Sequence, residues 1–197
     1  MRAFPTRRPE AVKVFPTDLE GVLVLEPQVH RDDRGFFAET YHAPRYAAAG
    51  VAASFIQDNH SRSVQGTLRG LHAQLERPQA KLLRVLRGRI FDVVVDVRVG
   101  SPTFARWVGV ELSEENFRQI FLPIGFAHGF CVLSDVAEVE YKCSDLYQPG
   151  DDLGLAWNDP EIGVKWPIAE PLLSAKDREG KPLARLLDRL PRYVTRP

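Results

Sequence analysis

Residues 81–100 read KLLRVLRGRIFDVVVDVRVG, and this stretch decides the fold class. Leucine, valine, isoleucine and phenylalanine dominate it, and Gly88 interrupts it once. Short apolar runs rich in β-branched residues and broken by glycine read as strands. The expected form is a hairpin with its turn at Arg87-Gly88. Working outward, further strands are expected at Val22–Leu25, Phe36–Tyr41, Leu82–Leu86, Ile90–Val97, Trp107–Leu112, Gln119–Leu122, Gly129–Leu133 and Val139–Lys142, with Gly, Pro, Asp or Ser at the joints. Strand starts about eight to twelve residues apart suit an all-β sandwich or barrel. Helical signal is weak. APRYAAAG (43–50) suits a short helix stopped by Gly50, LSEEN (112–116) offers one turn at most, and PLARLLDRL (182–190) spaces its leucines for a terminal helix.

Length and charge narrow the function classes. A chain of 197 residues suits one domain with a terminal extension. Prolines at 5, 9 and 16 make residues 1–17 an expected arm, with a single domain over 18–197. Lys plus Arg equal Asp plus Glu at 26 each, so no general attraction to nucleic acid or an acidic membrane is expected. The start has no apolar signal core, and no apolar run reaches spanning length. Cys131 and Cys143 read as buried or free thiols in a reducing compartment. A soluble, cytoplasmic protein is expected.

Two histidines in glycine-rich frames carry the chemistry: His72 in GTLRGLHAQ (66–74) and His128 in LPIGFAHGF (122–130). Paired histidines in a β-rich pocket point to metal binding or proton transfer. Pro123-Ile124-Gly125-Phe126-Ala127-His128, with Gly66 six residues before His72, resembles the two motifs of cupin barrels. The cupin pattern places a second histidine at 74 and a carboxylate at 81, but these positions hold Gln74 and Lys81. An ammonium has no lone pair and repels a cation, so no metal is expected. The same residues make a pocket with a base and a fixed cation, suited to proton abstraction beside a carbonyl.

An ordered series extends the match: DDRGFFAE (32–39), FIQDNHSRS (55–63), AKLLRV (80–85), VVVDVRVGSPTF (93–104), GVELSEENFRQIFLPIGFAHGF (109–130), LSDVAEVEYKCSDLY (133–147), GLAWNDP (154–160) and LSAKD (173–177). Across most of its length the chain resembles the dTDP-4-dehydrorhamnose 3,5-epimerase family. The resemblance implies a cupin jelly-roll barrel with a few short helices, one of them near the C-terminus. It implies a homodimer that uses no cofactor and acts on a dTDP-4-keto-6-deoxyhexose. Deprotonation beside the 4-keto group gives an enolate, and reprotonation from the opposite face inverts the carbon.

By motif position the resemblance makes His72 the base, Asp177 its carboxylate partner, Tyr141 the opposed acid and Lys81 the enolate-stabilising cation, with His128 beside the sugar. Arg34, Phe37 and Glu39 match residues reaching the site partly from the partner subunit. Gln57, Asn59 and Arg69 match polar groups at the diphosphate and thymidine end. Tyr147 is matched to a thymine stack, with Asp152 and Lys176 at the site edge. Each taken alone reads more blandly: Phe37 as core, Tyr141 as a half-buried strand tyrosine, Arg69 as a surface residue. Two departures stand out: Ala73 follows the histidine where the family usually has an aromatic, and Asp152 replaces the usual Glu. The alternatives are a single-site epimerase acting at carbon 3 or 5, a ketoisomerase (disfavoured by Tyr141), and a non-catalytic sugar-nucleotide-binding cupin.

Overall fold

The computed structural model describes residues 12–194. Its strands, in chain order, are β1 (Lys13–Pro16), β2 (Leu23–Glu26), β3 (Val29–Asp32), β4 (Gly35–Ala38), β5 (Gln57–Val64), β6 (Leu68–Gln74), β7 (Lys81–Arg87), β8 (Arg89–Asp96), β9 (Trp107–Ser113), β10 (Gln119–Leu122), β11 (Phe126–Val132), β12 (Val136–Cys143) and β13 (Asp152–Gly154). The order β1-β2-β10-β7-β12-β5 makes a six-stranded sheet, and β13-β6-β11-β8-β9 makes a five-stranded one. The pair β3-β4 stands apart. The neighbouring strands of both sheets run antiparallel, as a jelly-roll sandwich requires.

The expected hairpin at Arg87-Gly88 does not form. β7 pairs with β10 and β12, whereas β8 pairs with β11 and β9 in the other sheet. Gly88 is therefore a corner where the chain crosses between sheets. Its φ is 78°, and a Cβ there would lie 2.0 Å from the Val136 carbonyl oxygen. A hairpin turn and a sheet corner both call for glycine, so the local signal is the same for each.

Three apolar layers follow from strand alternation. The layer between the sheets holds Leu83, Val85, Ile90, Val94, Leu112, Ile120, Phe130 and Val139. A second covers the outer face of the five-stranded sheet, where Leu71, Val93 and Val95 meet Leu183, Leu186 and Leu190 of the C-terminal segment. The third covers the six-stranded sheet, where Leu25, Leu82 and Phe121 pack on Tyr46 and Val51. Tyr46 belongs to helix α1 (Ala43–Ala48), which opens on a His42 cap and ends before Gly50, as the sequence suggests.

Both termini differ from expectation. Lys13–Pro16 is a strand at the sheet edge, where proline is tolerated, so part of the expected arm is built into the sandwich; residues 1–11 lie outside the described residues. The expected terminal helix contracts to a single 3-10 turn, Leu183–Arg185. The chain is pinned on either side: Lys181 N–H bonds Gly154 O, and Val99 N–H bonds Pro191 O. Between these anchors successive turns bury the three leucines in place of a continuous helix. Helix α2 (Ala175–Arg178) follows a Ser174 cap. Among the described residues no helix is long and apolar enough to cross a membrane.

Candidate active site

On one sheet, Val85, Leu83 and Lys81 of β7 share the inward face, as do Ala137, Val139 and Tyr141 of β12. On the other, Phe130 and His128 share it on β11, while Gly70 precedes His72 on β6. The inward face therefore turns from apolar to polar along each strand. Side chains from both sheets line a cavity of about 240 Å³ that includes Ser61, Arg69, His72, Lys81, His128 and Tyr141. A second chamber of about 300 Å³ adds Gln57, Asn59, Tyr147 and Asp152, and His72, Lys81, Tyr141 and Lys176 line both.

His72 lies on the five-stranded sheet, with its Nε2 2.7 Å from Asp177 Oδ1. The contact is close but poorly aligned as a hydrogen bond. Asp177 is held by the Gly70 N–H at 3.1 Å and the Ser174 hydroxyl at 2.6 Å, and Ser174 also caps α2. Burial pushes the Asp177 carboxyl up, but His72, Ser174 and the Gly70 N–H outweigh it and leave it at about 2. It stands ionised beside the imidazole, so Nδ1 of His72 is the nitrogen left for substrate. Gly70 is required by close approach: a Cβ there would lie 2.6 Å from Gly129 Cα and from the His128 carbonyl oxygen. The RGLH and AHGF glycines thus let β6 and β11 bring both histidines together, with His72 and His128 directly opposite in register.

Tyr141 faces the cavity from the six-stranded sheet. Burial raises its phenol above the ordinary value, with the neighbouring Cys143 adding to this and Arg69 opposing it. Lys81 Nζ sits 5.9 Å from the centre of the Tyr141 ring. Burial lowers the lysine's affinity for its proton, while Cys143, Asp152 and Asp92 restore part of it. His128 Nε2 is 2.8 Å from Asp92 Oδ2.

The second chamber is tied together by hydrogen bonds. Gln57 donates to Asn59 and accepts from the Tyr147 N–H, and the Tyr147 hydroxyl donates to Asp152 at 2.7 Å. Lys176 pairs with Asp152 at 2.8 Å. Arg69, expected with Gln57 and Asn59, lines only the first chamber, where its Nε donates to Ser63. Arg34 and Phe37 do not reach the cavity of their own chain. They sit on the β3-β4 hairpin, where Phe37 is 70% exposed and Arg34 pairs with Asp32. Glu39 is bound to Arg45.

Sequence reasoning did not assign Ser61, Asp92 or Ser174. A carboxylate inside the apolar run FDVVVDV was a usable signal for Asp92; serines carry none. Among the described residues no group of three or more His, Cys, Asp or Glu could hold a metal. Gln74, at the cupin ligand position, spends its amide on the Arg77 carbonyl and Asp151.

The family model described as dTDP-4-dehydrorhamnose 3,5-epimerase matches residues 16–185. The chain belongs to this family. The dTDP-4-dehydrorhamnose 3,5-epimerase of Methanothermobacter thermautotrophicus is 51% identical over 174 residues, 87% of this chain and 94% of that one. A Streptomyces niveus relative, 40% identical over 93% of this chain and 91% of its own, is named a dTDP-4-dehydrorhamnose 3-epimerase. The crystal structure of dTDP-6-deoxy-D-glucose-3,5-epimerase from Legionella pneumophila, in complex with dTDP-4-keto-L-rhamnose, superposes with a TM-score of 0.91. It shares 45% identity and covers 93% of this chain and 100% of its own. Relatives of this chain thus carry the names of both 3,5-epimerases and a 3-epimerase, the 3-epimerase being the less similar at 40% identity against 51%.

Proposed function

We propose that this protein inverts carbons 3 and 5 of dTDP-4-dehydro-6-deoxy-D-glucose to give dTDP-4-dehydro-L-rhamnose. One observation carries the reading: a carboxylate-backed histidine and a partly buried tyrosine line one cavity from opposite sheets, with a lysine beside the tyrosine. His72 Nδ1 takes the proton from the carbon beside the ketone, and the bonding pair moves to make an enolate. Asp177 stabilises the resulting imidazolium. The Lys81 ammonium, paired with no carboxylate among the described residues, stabilises the charge gathering on the oxygen. Tyr141 gives its proton to the opposite face of the same carbon, and solvent restores both groups. The substrate and product are at one oxidation level, so the reaction calls for no redox cofactor.

The second chamber suits the nucleotide, with Tyr147 stacking on thymine and Gln57 and Asn59 beside it. Arg69 and Lys176 supply cations for the diphosphate, and Asp152 holds Lys176 in place. The protein acts as a homodimer in which the hairpin of one subunit carries Arg34 and Phe37 to the partner's cavity, with Glu39 bracing its base. The exposure of Phe36 and Phe37 supports this, since monomeric surfaces seldom present two adjacent phenylalanines. Buried, unpaired Cys131 and Cys143 suit a cytoplasmic setting.

Turnover of the dTDP-4-keto sugar in deuterated water, followed by NMR, tests the reading. Label at both carbons with inverted configuration is expected. Label at one carbon alone would establish the single-site reading that the Streptomyces niveus relative motivates.

A further inference from the structure

Strand β8 carries two carboxylates, Asp92 and Asp96, both fully buried. They are held very differently. Asp96 accepts from the Arg98 backbone and guanidinium and from the Ser101 and Thr103 hydroxyls, so both of its oxygens are satisfied. That is a structural knot. Asp92 lies on the inward face between Ile90 and Val94 of the apolar layer. Its Oδ2 meets His128 Nε2 at 2.8 Å, and its Oδ1 has no partner among the described residues. A buried carboxylate left half satisfied in an apolar layer opposes folding, so the fold alone does not account for it. Its one partner, however, lines the cavity directly across from His72.

We propose that Asp92 is a positioning residue for the reaction: through Nε2 it fixes His128 in one tautomer, leaving Nδ1 as the acceptor for a sugar hydroxyl. An ionised carboxylate only accepts, so the ring proton must sit on Nε2. The lone pair then lies on Nδ1, the ring nitrogen with no partner among the described residues. Asp92 does not line the cavity and touches no substrate; it acts through the imidazole. Its charge also helps keep Lys81 protonated. The two histidines thus share one device, a carboxylate on Nε2, but are put to different uses. His72 exchanges protons, while His128 reads a hydroxyl. This assignment rests on the reading of the cavity as the sugar site.

The test uses the full-length protein. In ¹⁵N NMR of the wild type at neutral pH, His128 should show a protonated Nε2 and an unprotonated Nδ1. The opposite tautomer would overturn the proposal, and this measurement needs no variant to fold. Asp92→Asn should lower kcat/KM by about 10–100-fold, the range seen when a carboxylate orienting a functional histidine is lost. In a His128→Ala background the same substitution should change kcat/KM by less than about twofold, because its target is gone. Equal losses in both backgrounds, or a folded Asp92→Asn protein with full activity, would refute the assignment. Failure of the wild type to exchange substrate hydrogens would instead sink the proposed function and leave the tautomer result standing.

Discussion

The two halves of the inter-sheet space are built from the same strands and differ in almost everything else. In the sealed half Leu83, Val85, Val94, Phe130 and Val139 interlock as an apolar layer. In the open half the same faces carry Lys81, Tyr141 and His128, joined by His72 and Ser61. The sealed half supplies rigidity through buried area, and the open half spends some of it on charged groups held at fixed distances. The contrast teaches that the site is not a feature added to the sandwich. It is the inward face continued past the point where the apolar residues stop.

The largest expected effect falls on the open half. His72→Ala should reduce deuterium wash-in at both carbons by about 10³-fold or more, with the fold intact by circular dichroism. A fall of less than tenfold would mean that the open half holds another base. Tyr141→Phe should lower formation of the inverted sugar by about 10²-fold while His72 still exchanges the proton on its own face. Equal loss of exchange and inversion would place the tyrosine on the wrong wall. The sealed half should answer in stability instead. Leu83→Ala should cost about 2–5 kcal/mol in urea unfolding while folded protein keeps its turnover number. If activity fell further than the folded fraction, the two halves would not be separable.

The smallest effect concerns the Asp177 carboxylate, which ties helix α2 to β6 through the Gly70 N–H. Its folded value of about 2 lies below the ordinary 3.8, so it stabilises the fold fully above pH ~4. That contribution should fade as the pH drops from about 4 to 2. In Asp177→Asn the acid limb of the stability curve should flatten over this window. An unchanged limb would show that the carboxylate is not held as the geometry indicates.

The apolar strands were legible because burial on both faces leaves a continuous hydrophobic run, as in β7, β8 and β10. The expectation for Gln119–Leu122 matches β10 to the residue. β5 and β6 were not counted among the strands. Their cavity-lining positions are Gln57, Asn59 and Ser61 on β5, and Arg69 and His72 on β6. A strand that serves a site loses the pattern by which strands are found. The residues proposed as catalytic were nonetheless reachable, since each sits in a motif whose order along the chain is informative.

By itself the sequence determined the all-β class, the family motifs that hold His72, Lys81, Tyr141 and Asp177, and the glycines that the strand crossings require. Those properties depend on local backbone preference and side-chain chemistry, which each residue carries with it. Only the tertiary structure decided that Gly88 turns between sheets and that Nε2 of both His72 and His128 meets a carboxylate. It also decided that Asp92 meets His128 while Asp96 is tied to Arg98, Ser101 and Thr103. These are matters of which distant segments lie together, and segments alike in composition become different objects once their partners differ.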